Sequence, residues 1–170
     1  MSDVKTLRLA SAQLTAESLE AFLTYQRTLL SALAASGDAQ HATWAGRFAF
    51  AHGTALAESG LDALTQQRLK VLVSEFCGKR SAWLTVKQRA ADAEAAVHQA
   101  KAHGRPVPEK EALILSRASA ELHRLEDFSP FAARYGPEAL ELLRGRDLEV
   151  VTLHRELSRL EGSGGHLHPG

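Results

Sequence analysis

LDALTQQRLKVLVSEFCGKRSAWLTVKQRAADAEAAVHQAKAH, residues 61–103, is a proline-free stretch in which apolar residues recur at steps of three and four. This spacing places them on one face of a helix and is typical of a coiled-coil-like seam. At ~1.5 Å rise per residue the helix would span roughly 60 Å. The seam positions are Leu69, Leu72, Phe76, Lys79, Trp83, Val86, Ala90, Ala93, Val97 and Ala100.

The segments on both sides of this stretch carry the same helical spacing. Thr15 and Asp38 are placed as helix N-caps, Pro108 begins a further helix, and Gly60 and Gly104 end helices. We therefore expect an all-α fold, an antiparallel bundle of about five main helices with one unusually long central helix. The predicted helices cover about 16–36, 39–59, 61–103, 109–127 and 138–160, with a short helical turn near 130–135. No linker divides them, so a single domain over 1–161 is expected, followed by a disordered tail at 162–170.

Gly46, Gly53 and Gly78 stand inside the second and third predicted helices. Gly46 and Gly53 lie on one stripe of the second helix, and interior glycine costs ~1 kcal/mol relative to alanine. We therefore expect a neighbouring helix backbone to approach closely there. Gly78 interrupts the central helix, but Phe76 and Trp83 on either side keep the same phase, which predicts one continuous helix.

The composition limits the class of protein. Lys and Arg total 20 and Asp and Glu total 20, so no general nucleic-acid footprint is visible. Cys77 is the only cysteine, which excludes an internal disulfide and a cysteine-based zinc site and predicts a small buried hydrophobe. Neither the N-terminal MSDVKTLRLASAQ nor any other segment has the apolar run of a signal peptide or a membrane span, so we expect a cytoplasmic protein. Abundant alanine and an excess of arginine over lysine suggest a bacterial, GC-rich genome.

Motifs that carry chemistry are missing, so we expect no enzyme activity, no cofactor and no metal site. The eight histidines include no pair at i, i+4 and no Glu-x-x-His motif, which are the spacings that helical metal sites use. The close pairs His98–His103 and His166–His168 are expected to be solvated. No glycine-rich phosphate loop follows a strand, and no nucleophile elbow occurs.

Basic residues surround Trp83 and form the one local charge excess in the chain. A surface of this kind suits an acidic protein partner or nucleic acid, and the acidic protein is the favoured partner. The other interpretation places Trp83 in the core, with the basic residues as a solvated face whose apolar stems cover the core edge. The residues of this basic strip, 68–89, are Arg68, Lys79, Arg80, Trp83, Lys87 and Arg89.

His52 lies in the run RFAFAHGTALAESGL, on the apolar face of the second predicted helix. A histidine in this position of a helical bundle resembles that of histidine phosphotransfer domains, and the resemblance implies that His52 carries a phosphoryl group. That family usually has a basic residue just after the histidine, whereas Gly53, Thr54 and Ala55 follow here, so the phosphoryl group would lack its nearby countercharge. The other interpretation is a half-buried histidine packed between helices.

The leading functional hypothesis is a non-enzymatic interaction or scaffold protein that uses the long helix for assembly. This helix exceeds its neighbours by about half its length. Its distal seam, through Ala90 and Val97, is therefore expected to need a further partner, either another protein or a second copy of this chain. Phosphotransfer through His52 is the alternative, and nucleic-acid binding by the basic strip is the second alternative.

Overall fold

The computed structural model describes residues 14–35 and 43–164 of the chain. Regular structure in this part is entirely helical, which confirms the all-α fold class. The predicted N-cap Asp38 and the first 13 residues lie outside the described residues. The last helix continues to Gly164, so the first residues of the predicted tail are helical and the rest of it is not described. The described helices are α1 (Ala16–Ala35), α2 (Trp44–Ser59), α3 (Ala63–Ala102), α4 (Glu109–Glu126), α5 (Ser129–Tyr135), α6 (Pro137–Gly145) and α7 (Asp147–Gly164).

The long central helix is present, and α3 runs for 40 residues without a break at Gly78. Asp62 caps its N-terminus, because Oδ1 accepts hydrogen bonds from the backbone N–H groups of Leu64 and Thr65 at 3.0 and 2.9 Å. Gly104, with φ of 63°, follows its C-terminus. Each seam position predicted from the sequence is buried or half-buried. The seam is therefore the packed face of α3.

The last predicted helix is wrong in one respect, because residues 138–160 belong to two helices. Arg146 stands between α6 and α7 with φ of −121°, and its backbone N–H donates to the Leu143 carbonyl at 3.2 Å. The break resets the register of the apolar positions. Leu148 is consequently 83% exposed, whereas Val150 is fully buried.

The second helix also differs from its prediction. Its described N-cap is Thr43, whose side chain accepts a hydrogen bond from the Gly46 backbone N–H at 3.2 Å. Gly60 ends the helix with φ of 69°, as predicted. The close backbone approach expected at Gly53 is absent from the described part, where no atom lies within 4 Å of a Cβ added there.

Contacts group the chain into two compact units, whereas the sequence predicts one domain. The first unit consists of the described parts of Met1–Glu75 and Phe131–Gly170. In it α1 and α2 run antiparallel, since Arg47 Nη2 donates to the Leu33 carbonyl at 3.4 Å and Tyr25 contacts His52 further along. The largest fully buried side chains of this unit are Phe22, Leu23, Leu69, Val73, Leu143 and Val150.

The second unit, Phe76–Pro130, is a hairpin made of the distal part of α3 and α4. Ala93 and Ala100 of the distal seam are buried, at 3% and 8% exposure. The chain therefore covers these two positions of the seam itself. Cys77 is fully buried, as predicted.

A helix must be both long and apolar to cross a bilayer. Between residues 14–35 and 43–164, none combines the length and the apolar content needed to cross a membrane.

Candidate interaction surface

Trp83 lies at the centre of a surface on the hairpin of α3 and α4. The helical step brings Arg80 and Lys87, three residues before and four residues after it, onto the same side of α3. The indole ring is half-buried, and its Nε1–H donates to Glu126 Oε1 of α4 at 3.1 Å. Trp83 is thus neither a core residue nor a free aromatic side chain, but is oriented by a contact between the two helices.

Two cations lie against the Trp83 ring. Arg80 Cζ and Lys87 Nζ are each 4.7 Å from the ring centroid. At this distance the electron-rich face of the indole attracts a cation by about 0.5–1 kcal/mol at an exposed site. The two charges are therefore held close together, on one aromatic side chain, at the protein surface.

Lys79 extends the same surface towards Asp127 and Phe128, which follow the C-terminus of α4. Its ammonium group donates to the backbone carbonyl of Asp127 and lies 4.9 Å from the centroid of the Phe128 ring. Hydrogen bonds from Ser129 lower the pKa of the Asp127 carboxyl below its ordinary value, and the charge of Lys79 lowers it further. Asp127 is consequently a firmly ionised acid beside Lys79. We call the group Lys79, Arg80, Trp83 and Lys87, with Glu126 and Asp127 at its edge, the Trp83 surface.

The remaining predicted interaction residues are placed differently. Arg89 is exposed, Ala90 and Val97 are half-buried, and all three lie in the second unit. Arg68 belongs to the first unit, where its side chain is half-buried. Among the described residues its Nε finds no hydrogen-bond partner. Of the basic strip predicted over 68–89, Lys79, Arg80 and Lys87 lie on the side of α3 that carries Trp83, whereas Arg89, six residues after Trp83, lies on another side of the helix.

His52 is half-buried and fixed by aromatic neighbours. Its Nδ1 lies 2.6 Å from the Tyr25 hydroxyl, and its ring stacks on Phe48 with centroids 6.2 Å apart. Tyr25 meets the same imidazole edge-on, at 5.7 Å between centroids. These contacts agree with a histidine packed between helices, the second interpretation of the sequence.

A polar cavity in the first unit was not predicted. Gln26 of α1, Gln66 of α3 and His154 of α7 line it, and the two glutamines are only 3% and 7% exposed. Each residue alone is an unremarkable polar position of a helix. The one usable signal is that Gln26 and Gln66 fall on the apolar faces of their helices, beside Leu23 and Leu69.

Within the described ranges no three side chains of His, Cys, Asp or Glu come together as a metal site would require. Comparison of the chain with protein-family models, curated proteins and solved structures found no match.

Proposed function

We propose that this chain is a non-enzymatic helical interaction protein that binds an acidic protein partner through the Trp83 surface. The observation that carries the proposal is the placement of Arg80 and Lys87 at 4.7 Å from one indole ring. Pairing on the ring restricts two long side chains before a partner arrives, so less side-chain entropy is lost when carboxylates bind them.

The available charge supports a carboxylate-bearing partner. Lys87 is exposed, and in the described part of the chain it forms no ion pair with a carboxylate. Its donors are therefore open to an incoming acidic group. Tryptophan and arginine are also the residues that most often dominate binding energy at protein interfaces.

The same geometry favours protein over nucleic acid. Stacking of a base requires an open aromatic face, whereas the Trp83 ring already carries two cations and its Nε1–H is bonded to Glu126. The carboxylates of Glu126 and Asp127 at the edge would repel a phosphate backbone. An acidic peptide can avoid this edge by placing its charges on Arg80 and Lys87.

A fluorescence anisotropy titration with a labelled glutamate-rich peptide tests the proposal. We expect binding that weakens as salt is added, because exposed charges are screened within about 10 Å at 0.1 M ionic strength. Arg80→Glu plus Lys87→Glu should reduce the affinity roughly tenfold or more, since these charges become repulsive. The matched control is Lys101→Glu plus Lys110→Glu, which makes the same charge change at exposed positions away from Trp83.

Three results would contradict the proposal. The peptide could fail to bind, the two double variants could lose the same affinity, or a single-stranded oligonucleotide of equal charge could bind more tightly than the peptide. The third result would favour nucleic-acid binding by the basic residues. That alternative further requires Lys79→Glu plus Arg80→Glu to weaken oligonucleotide binding.

Self-association through α3 is the second form of the interaction proposal. Val97 is half-buried and its neighbours Ala95 and His98 are exposed, so α4 leaves a part of the distal helix accessible to a second copy. Light scattering at micromolar concentration measures this directly. A mass of one chain across the concentration range would rule out this form and leave the acidic-partner form standing.

Phosphotransfer through His52 remains the alternative outside this class. The Tyr25 hydroxyl engages Nδ1, which leaves Nε2 as the ring nitrogen for a phosphoryl group. Incubation with a phosphorylated response regulator should then give acid-labile phosphate on the chain. The alternative fails if that phosphate is still formed by His52→Ala.

A further inference from the structure

The cavity in the first unit lies among α1, α3 and α7. Its volume is about 30 Å³, and Lys70 and Glu161, paired at 3.3 Å, also line it. Core residues such as Phe22 and Val73 line part of the cavity, and each of the three helices also contributes polar groups to its wall. The uncharged polar side chains of the wall are Tyr25, Gln26, Gln66, Ser74, His154 and Ser158.

Gln26 supplies the second observation. The residue is 3% exposed, and within the described part of the chain its Oε1 is buried without a hydrogen-bond partner. Buried amide atoms are rarely left unpaired, because the lost hydration is not replaced. Exchange of the amide oxygen and nitrogen would not remove the problem, since a buried donor would then stand in the same place. The position therefore needs a guest that can donate or accept.

The size and charge of the cavity restrict this guest. A water molecule needs about 10–15 Å³ of such volume, so the space suits about two waters and no larger organic ligand. Lys70 and Glu161 carry opposite charges, so this pair adds no net charge to the cavity wall. Burial lowers the pKa of His154, and burial raises the pKa of Tyr25 to about 12, so both are neutral near pH 7. A neutral guest that both donates and accepts is water.

We propose that this cavity is an internal hydration site that holds about two ordered water molecules, one of them bonded to the Gln26 side-chain amide. The waters link polar groups of α1, α3 and α7, helices that are far apart in the sequence. Because each link needs a set distance, the hydrated cavity favours one axial position of the three helices over alternatives. The site is independent of the Trp83 surface, which lies in the other unit.

A high-resolution crystal structure combined with a pair of variants tests the proposal. We expect water density within hydrogen-bonding distance of the Gln26 amide. We also expect Gln26→Leu to lower the folding equilibrium constant about tenfold, because the waters lose a partner. Gln67→Leu, one residue from Gln66 and exposed on α3, is the matched control for the change of side chain and should have little effect.

Two outcomes would overturn the hydration site. One is a cavity in the crystal structure that is empty or filled by something other than water. The other is a Gln26→Leu variant more stable than the wild type, since removal of a truly unpaired buried amide is stabilising. The stability change caused by Gln26→Leu therefore has opposite signs for a hydrated and a dry cavity.

Discussion

Burial keeps the Tyr25 hydroxyl protonated near pH 7, and this hydroxyl is the hydrogen-bond partner of His52. Burial, assisted by the charge of Glu161, raises the pKa of Tyr25 to about 12. The hydroxyl therefore keeps its proton near pH 7, and it lies 2.6 Å from His52 Nδ1, where the tautomer of the imidazole decides which group donates. When the hydroxyl donates, a neutral His52 carries its own proton on Nε2. This tautomer would have to change before a phosphoryl group could be attached at Nε2.

His154 should make stability fall as the pH is lowered. Burial lowers its pKa below the ordinary value, Lys70 acts in the same direction, and Glu161 opposes both. The unfolded chain therefore binds this proton at a higher pH than the folded chain, so stability is full above about pH 6.5 and is lost as the pH falls. We predict that His154→Gln flattens the free energy of unfolding between about pH 7 and pH 5, measured by urea denaturation.

The control for this prediction is His98→Gln, an exposed position on α3. It should leave the pH dependence as it is in the wild type. Equal curves for His154→Gln and the wild type would show that burial of His154 does not influence stability.

Within α3, Gly78 is a position at which the residue type lowers the stability of the helix. Gly78 is exposed, it is inside the helix, and within the described chain nothing lies within 4 Å of an added Cβ. Since alanine is favoured over glycine in a helix interior, Gly78→Ala should raise the free energy of unfolding by ~1 kcal/mol. Thermal or urea denaturation measures this change.

Gly136→Ala provides the opposite case. Gly136 has φ of 93°, and an added Cβ would lie 3.3 Å from Glu138 Oε2. The substitution should destabilise by about 1–2 kcal/mol, because non-glycine residues disfavour this region. If Gly78→Ala were also destabilising, the helix would have to bend at Gly78 in solution.

An ion-pair network joins α1 to the corner between α6 and α7. Arg27 pairs with Glu20 at 3.1 Å and also with Glu149, while Arg146 pairs with Glu20 at 2.8 Å and donates to Glu149 at 2.8 Å. The hydrogen bond from Arg27, followed by that from Arg146, lowers the pKa of the Glu149 carboxyl. Each cation is thus shared by two carboxylates from different helices.

Glu149→Gln should lower the free energy of unfolding by roughly 0.5–1 kcal/mol at low salt, and less at high salt, because the network is exposed. Its effect should be full above about pH 4.5 and should disappear as the pH falls, since the carboxyl has its lowered pKa only in the folded chain. Glu156→Gln, exposed on the same helix, is the control. The role of the network is refuted if both variants behave alike in denaturation at low and high salt.

At the scale of the whole molecule, the two units differ in what they bury. The core of the first unit contains large side chains such as Phe22, Leu23 and Leu69, each at most 2% exposed. The middle of the second unit buries mainly alanine, at positions 93, 100 and 118. Alanine removes much less apolar area from water than leucine or phenylalanine, so this part gains less stabilisation on folding.

Hydrogen exchange should show this difference directly. We predict faster amide exchange for residues 90–118 than for α1, because segments with few buried apolar contacts open more readily. Peptide-resolved exchange measured by mass spectrometry gives both regions in one experiment. Equal protection of the two regions would show that the alanine-lined part is as stable as the leucine-rich core.

The sequence by itself determined the helices. Steps of three and four residues, Thr15, Gly60 and Gly104 predict most element positions, because helix formation depends on contacts within a few residues. The same local logic places Arg80, Trp83 and Lys87 on one side of α3. The sequence therefore also contained the main residues of the Trp83 surface.

Only the tertiary structure decided what these helices meet. Glu126 reaches Trp83 from α4, Arg146 interrupts the last helix while pairing with Glu20, and Gln26 shares its cavity with a histidine more than a hundred residues away. Such pairings join residues that are far apart in the sequence and depend on how the helix faces pack. The local spacing of residues therefore does not predict them. The partner of an apolar or charged face is set by packing, whereas the existence of the face is set by periodicity.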